Sequence, residues 1–245
     1  MAELAIALDV PDQPSAVALA EKLSAGLDAA TGKVWFKVGM ELYTAAGPAV
    51  VEALKGLGFS VFLDLKYHDI PNTVAGAMRA AARLGVDMAN VHICGGEAMV
   101  RAAVTGAREG AAACGGKPPI LLGVTVLTSL GPRDLDAIGM PARLYGAGLD
   151  DAGRLAALAL LRAEQAKAWG LDGVVCSGHE AAGIKRACGR DFICLTPGIR
   201  PCSGEVNDQS RVMPPAEAVA VGADFLVVGR PITGADDPLA AMRAI

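Results

Sequence analysis

The sequence predicts an α/β fold, a (β/α)8 TIM barrel of eight parallel strands ringed by outer helices. Three observations carry that expectation. Eight short apolar runs alternate, from end to end, with stretches whose apolar residues recur at three- and four-residue spacing. The repeat averages about thirty residues, the size of a βα unit. The chain has 245 residues, which suits one closed barrel of eight such units. An open, doubly wound sheet is the alternative, but it usually carries a glycine-rich turn after its first strand. Here that turn reads Asp9-Val10-Pro11-Asp12, without a glycine.

In order, strands are expected at 4–10, where an apolar run meets Asp9, and at 35–40, Trp-Phe-Lys-Val-Gly-Met. A third is expected at 61–66, Val-Phe-Leu-Asp-Leu-Lys, and others at 88–93, 120–127, 173–177, 192–197 and 225–230. Between them, groups such as Val50, Val51, Leu54 and Leu57 fall at helical spacing, and Gly58, Gly85, Gly115 and Gly170 mark helix stops. The longest irregular stretches, about 128–148 and 198–213, both follow strands. They belong at the C-terminal rim of a barrel, where active-site loops lie. No Pro/Gly/Ser-rich linker interrupts the chain, so residues 1–245 are expected to form a single domain.

Hydrophobic residues make up 53% of the chain and charged residues 20%, which favours a large core over disorder. With aromatics at 4%, Ala, Val, Leu and Ile must fill that core, as suits helices packed on a parallel sheet. The net charge of −4 argues against a general nucleic-acid binder. A small anion remains compatible, because one or two arginines and a helix N-terminus can hold a phosphate. The N-terminal segment lacks the basic start of a signal peptide, and no apolar run reaches the ~18 residues of a membrane span. Residues 155–161 come nearest, closed off by Arg154 and Arg162. Neither nucleic acid nor a membrane is an expected partner. The cysteines at 94, 114, 176, 188, 194 and 202 show no CxxC spacing. Buried, reduced thiols in a cytoplasmic protein are the expectation.

The segment Val61-Phe-Leu-Asp64-Leu-Lys66-Tyr-His-Asp69-Ile-Pro-Asn-Thr73 carries the chemistry. Strand side chains alternate, so Asp64 and Lys66 share a face while Leu63 and Leu65 point to the helix layer. Lys37 lies near the C-terminal end of the neighbouring strand, and Asp69 follows Lys66 by three residues. Four charges of alternating sign are therefore expected in a small space inside the barrel mouth. Such a set is costly to bury unless matched, and in a pocket it points to catalysis more than to a structural plug. Gly229 leaves a backbone N–H open to an anion, Arg230 adds a charged fork, and 198–211 has the polar make-up of a lid. His68, His92 and His179 have no metal-ligand spacing; structural hydrogen bonding is expected for the first two.

That third-strand segment resembles the active-site signature of the orotidine 5′-phosphate decarboxylases. The likeness continues through Ala-Leu-Asp9, Phe-Lys37-Val-Gly, Val-His92 with Gly95-Gly96, Thr-Val-Leu-Thr128-Ser, Thr-Pro-Gly-Ile-Arg200-Pro, Asp208-Gln209 and Val-Val-Gly229-Arg230-Pro-Ile-Thr. Departures are small: Ile93-Cys94 before the glycine pair and Pro214-Pro215 after the loop. The resemblance implies loss of CO₂ from orotidine 5′-monophosphate to give UMP, the last step of pyrimidine nucleotide synthesis, with no cofactor and no metal. It implies that Lys66 donates the proton, that Asp64 sits beside the substrate carboxylate, and that Lys37 and Asp9 bind ribose hydroxyls. Thr128 is implied at the pyrimidine, Thr73 among the substrate-binding residues, and Gln209, Gly229 and Arg230 at the phosphate, with Arg200 beside them. It further implies a homodimer in which Asp69 enters the partner's site. Two other readings stay open: a Mg²⁺-dependent sugar-phosphate lyase of similar barrel, and a non-catalytic nucleotide-phosphate binder.

Overall fold

The computed structural model describes residues 2–26, 33–140, 148–200 and 211–245. Eight parallel strands close a barrel in chain order, with β8 pairing back to β1. They are β1 (Glu3–Ala7), β2 (Val34–Gly39), β3 (Ser60–Tyr67), β4 (Met88–His92), β5 (Ile120–Val124), β6 (Gly173–Val175), β7 (Ile193–Thr196) and β8 (Phe225–Val228). The principal connecting helices are α1 (Gln13–Ser24), α2 (Met40–Ala46), α3 (Ala49–Gly56), α4 (Pro71–Arg83), α5 (Glu97–Ala113), α6 (Pro132–Ala137), α7 (Asp151–Ala168) and α8 (Gly178–Cys188). Short helices α9 (Pro215–Ala220), α10 (Arg230–Thr233) and α11 (Pro238–Arg243) complete the chain. The closed order settles the barrel over the open sheet. Among the described residues, no helix is long and apolar enough to cross a membrane.

Strand alternation sorts the apolar residues into two layers. Ala5, Trp35, Phe62, Met88, Leu122 and Leu195 pack inside the barrel. Ile6, Phe36, Leu63, Ala89, Leu121 and Cys194 pack between sheet and helices. Trp35 meets Phe225 edge to face (centroids 5.3 Å apart), so aromatic rings fill the N-terminal end and the opposite mouth is left for polar side chains. Asp87, Asp172 and Asp224 each precede an even-numbered strand. They accept from the N–H groups of Val61 (2.8 Å), Leu121 (2.7 Å) and Cys194 (2.7 Å) on the strand before. These carboxylates satisfy ladder donors at the barrel base that would otherwise lack partners.

The glycines at 58, 85, 115 and 170 all take positive φ, from 65° to 94°, and end helices as expected. Several strands stop short of their expected C-terminal ends: β1 at Ala7, β5 at Val124 and β8 at Val228. The apolar runs continue past those points because residues such as Val126 and Leu127 line a cavity, not because the ladder continues. Leu57, expected on the buried face of its helix, is the C-cap of α3 and is exposed, since Gly58 turns the chain there. The stretch read as irregular from 128 contains α6, started by Pro132 with Asp134 accepting from Gly131 N–H (2.8 Å). Its residues 141–147 lie outside the described ones. Cys176, Cys188 and Cys194 are buried free thiols, but Cys94 and Cys114 are exposed, contrary to expectation. Cys94 falls in the 3₁₀ turn after β4 and Cys114 caps α5. Cys202 lies outside the described residues.

Helices α4 and α5 approach to backbone contact at Gly106 and Gly110. A Cβ at Gly106 would lie 2.2 Å from the Ala75 carbonyl oxygen. Helix propensity alone favours Ala there by about 1 kcal/mol. We expect Gly106→Ala instead to lower stability by about 1–3 kcal/mol, the usual range for overpacking, read as a lower urea midpoint. A raised midpoint would show that the two helices can separate without loss.

Candidate active site

Strands β1, β2 and β3 each bring a charged side chain to the C-terminal mouth by continuing their inward alternation. Trp35 is followed by Lys37 on β2, Phe62 by Asp64 on β3, and Ala5 and Ala7 by Asp9 just past β1. Lys37 Nζ lies 3.3 Å from Asp9 Oδ1 and 3.5 Å from Asp64 Oδ2, and Asp64 Oδ1 accepts from Lys66 Nζ at 2.7 Å. The result is one line of alternating charge: Asp9, Lys37, Asp64, Lys66. Glycines leave room for it. A Cβ at Gly39 would sit 3.0 Å from Lys37 Nζ, and one at Gly229 would sit 3.2 Å from Asp9 Oδ2.

The Lys37 and Asp64 side chains are only 11% and 12% exposed, so their charges are largely desolvated and need each other. Burial by itself would raise the Asp64 pKa. The ammonium groups of Lys37 and Lys66, with hydrogen bonds from Lys66 and Asn90, outweigh it and hold the carboxyl below its ordinary value. Asp64 is therefore ionised at neutral pH.

Leu63 and Leu65 pack outward as alternation predicts, Leu63 fully buried. Lys66 does not simply follow that pattern. Its φ is 51°, the one positive value at a non-glycine among the described residues, and the β3–β4 register shifts between Leu63 and Tyr67. Its ammonium reaches Asp64 from a bulged strand. Asn90, which sequence reasoning missed, spans this irregularity. Its Nδ2 donates to Asp64 Oδ1 (2.7 Å), and its Oδ1 accepts from Lys66 N–H (2.8 Å). The available signal was a polar residue at an inward position between Met88 and His92.

Asp69 departs from the expected four-charge cluster within one chain. It is exposed beyond the end of β3, accepts from Ile70 N–H (2.6 Å), and does not line the cavity. Thr73, also exposed, lies in the first turn of α4 and likewise does not line it. Gln209, with Asp208 and most of the expected lid, lies outside the described residues.

The cavity at the mouth measures about 490 Å³, within the usual range for small-molecule sites. One wall is the line of alternating charge. The floor is apolar, with Phe62, Val124, Leu195 and Val227. The β7–β8 side presents Gly198, Arg200, Gly229 and Arg230, and Thr128 and Ser129 line the β5 side. Arg200 is buried and Arg230 exposed. An anion and a reacting group can thus be held at opposite ends of one elongated ligand.

Below the β5 and β6 loops, a second ion pair joins Glu180 to Arg211. Glu180 completes a capping box with Ser177, a Ser-x-x-Glu pattern legible in the sequence. Arg211 also donates to the carbonyls of Val126 (3.2 Å) and Leu127 (3.3 Å), next to Thr128. Burial raises the Glu180 pKa, and the Arg211 guanidinium opposes that shift. The His68 and His92 rings stand 5.6 Å apart. Burial, then the neighbouring His68, Lys66 and Arg162 charges, push the His92 pKa down to about 4, against a small opposing effect of Asp64. His92 is therefore neutral at pH 7 and adds no cation beside Lys66. Among the described residues, no three His, Cys, Asp or Glu side chains group as metal ligands.

A family model described as "Orotidine 5'-phosphate decarboxylase / HUMPS family" matches residues 2–245. The chain is 57% identical to an orotidine 5'-phosphate decarboxylase of Nitratidesulfovibrio vulgaris (strain DSM 19637 / Miyazaki F), covering 100% of this chain and 97% of that protein. It is 50% identical to one from Moorella thermoacetica, covering 99% of this chain and 90% of the other. Among solved structures, the orotidine 5'-phosphate decarboxylase of Lactobacillus acidophilus superposes with a TM-score of 0.78 at 37% identity. That match covers 100% of this chain and 97% of the other.

Proposed function

The chain belongs to the orotidine 5'-phosphate decarboxylase / HUMPS family, and from that premise we propose how it acts: it converts orotidine 5′-monophosphate to UMP and CO₂, the last step of pyrimidine nucleotide synthesis, using its own side chains alone. The observation that carries this reading is the line Asp9–Lys37–Asp64–Lys66 at one end of a nucleotide-sized cavity.

Loss of CO₂ from the ring leaves an electron pair in the ring plane, outside the π system, where resonance helps little. A fixed ammonium is the group that chemistry needs. Lys66 stabilises the developing carbanion and then supplies the proton to the same carbon. Asp64 lies beside the departing carboxylate and, with Lys37, keeps the ammonium in place. Lys37 and Asp9 take ribose hydroxyls, and Thr128 takes the pyrimidine. Gly229, Arg230 and Gln209 hold the phosphate, with Arg200 next to them. Binding energy from that remote anion contributes to the transition state.

The functional unit is a homodimer. Asp69 is exposed and does not line the cavity of its own chain, which supports its entering the partner's site; Thr73, exposed in the first turn of α4, is assigned to substrate binding. The buried free thiols support a reducing, cytoplasmic setting.

The direct test adds orotidine 5′-monophosphate to protein stripped with EDTA and follows UMP and CO₂. Full turnover without metal is expected. No UMP, or activity that returns only with Mg²⁺, would favour the sugar-phosphate lyase reading.

A further inference from the structure

Asn90 occupies an inward position of β4 and is fully buried, yet neither its sequence context nor the assigned roles above account for a polar side chain there. Its two amide atoms make two different bonds. Nδ2 donates to Asp64 Oδ1 at 2.7 Å, and Oδ1 accepts from the backbone N–H of Lys66 at 2.8 Å. The second bond falls where the β3–β4 ladder is interrupted. Register runs Phe62 to Met88 and Leu63 to Ala89, then resumes at Tyr67 with Val91. In the gap, Lys66 adopts φ 51°, a conformation in which Cβ crowds the backbone carbonyl and which is held only where its surroundings impose it. The amide of Asn90 thus takes the place of the strand partner that the bulge removes.

We propose that Asn90 is a positioning residue for proton delivery. One rigid amide clamps both the Asp64 carboxylate and the Lys66 main chain, and so sets the direction in which the ammonium points. This rests on the assignment of Lys66 as proton donor. The residue type follows from the two bonds. The position needs a donor and an acceptor on one short planar group. Leu fills the space but leaves Lys66 N–H and Asp64 Oδ1 each short of a partner. Ser is too short to span both. Asp has the right shape but, when ionised, turns the donor into an acceptor facing Asp64.

That last property provides the test. Two carboxylates in contact cannot both ionise easily, so one retains its proton towards neutral pH. In that protonated form Asn90→Asp reproduces donor and acceptor; on deprotonation it repels Asp64. We expect kcat for orotidine 5′-monophosphate to fall about 100-fold at pH 8, the scale of a misplaced reacting group. The kcat should recover as pH is lowered, over a range in which the wild type and Asn90→Ser show no such rise. KM and UMP affinity should stay within about threefold, as for an interaction made only in the transition state. Asn90→Ser should lose kcat similarly at every pH, which keeps the test sound if the aspartate variant fails to fold. Either variant with near-wild-type kcat at pH 8, or UMP affinity falling in step with kcat, would overturn the role. Wild-type protein unable to turn over the nucleotide would instead sink the decarboxylase assignment itself.

Discussion

Lys66→Ala is expected to bind UMP nearly as well as the parent protein while turning over orotidine 5′-monophosphate at least about 10⁴-fold more slowly, a loss built from proton donation and from a fixed charge at the carbanion. The geometry separates the two readouts. The phosphate-side residues Arg200, Gly229 and Arg230 lie across the cavity from Lys66 and keep their places. Asp64 keeps Lys37 at 3.5 Å and the Asn90 amide at 2.7 Å, so its charge is not left bare when the lysine is truncated. Steady-state kinetics and calorimetric titration with UMP read the two quantities independently. A kcat within about tenfold of wild type would remove Lys66 from the chemistry, since a general acid contributes roughly 10²–10⁴-fold. Slow uncatalysed decarboxylation demands on the order of 20 kcal/mol of barrier reduction, more than one ammonium supplies. The remainder falls to the preorganised line of charge and to binding energy from the phosphate.

Mixing two inactive proteins, Asp69→Ala and Lys66→Ala, should restore activity. If Asp69 serves the partner's cavity, a mixed dimer places both defects in one site and leaves the other complete. Random exchange makes half of the dimers mixed, so about a quarter of wild-type activity is expected from a two-fold assembly. The expectation is specific because Asp69 is exposed and lies outside the cavity lining of its own chain. Among the described residues, its side chain accepts from Ile70 N–H, a bond within the turn that occupies one carboxylate oxygen. No recovery after subunit exchange has been verified by mass or by a tag would place Asp69 in its own chain's turn alone.

The exposed Ile70, 67% accessible next to Asp69, fits the same picture. A large apolar side chain beside a charge that has no ion pair among the described residues is an arrangement an interface would cover.

Much of this molecule was legible in the chain. Apolar runs at strand length, separated by helical spacing and glycine stops, reflect periods of two and 3.6 that are local properties of the backbone, and eight of them define the barrel. The same local rule placed Lys37 and Asp64 inside the mouth, with Leu63 and Leu65 outside it. The capping box of Ser177 and Glu180 is equally local, three residues apart in the chain. What alternation could not supply was the partner of each side chain. That Asn90 meets both Asp64 and Lys66, that Lys66 turns left-handed across a bulge, and that Arg211 reaches Glu180 all depend on register between strands and on closure of the ring. Those contacts join residues 24 or more positions apart, and only the packed barrel brings them within bonding distance. Spacing likewise put Asp69 with the other three charges, whereas the chain turns outward after Tyr67 and carries it to the surface. Which residue types face inward was determined by the sequence; which of them touch was decided by the tertiary fold, because hydrogen bonds form over ångströms in space and not along the chain.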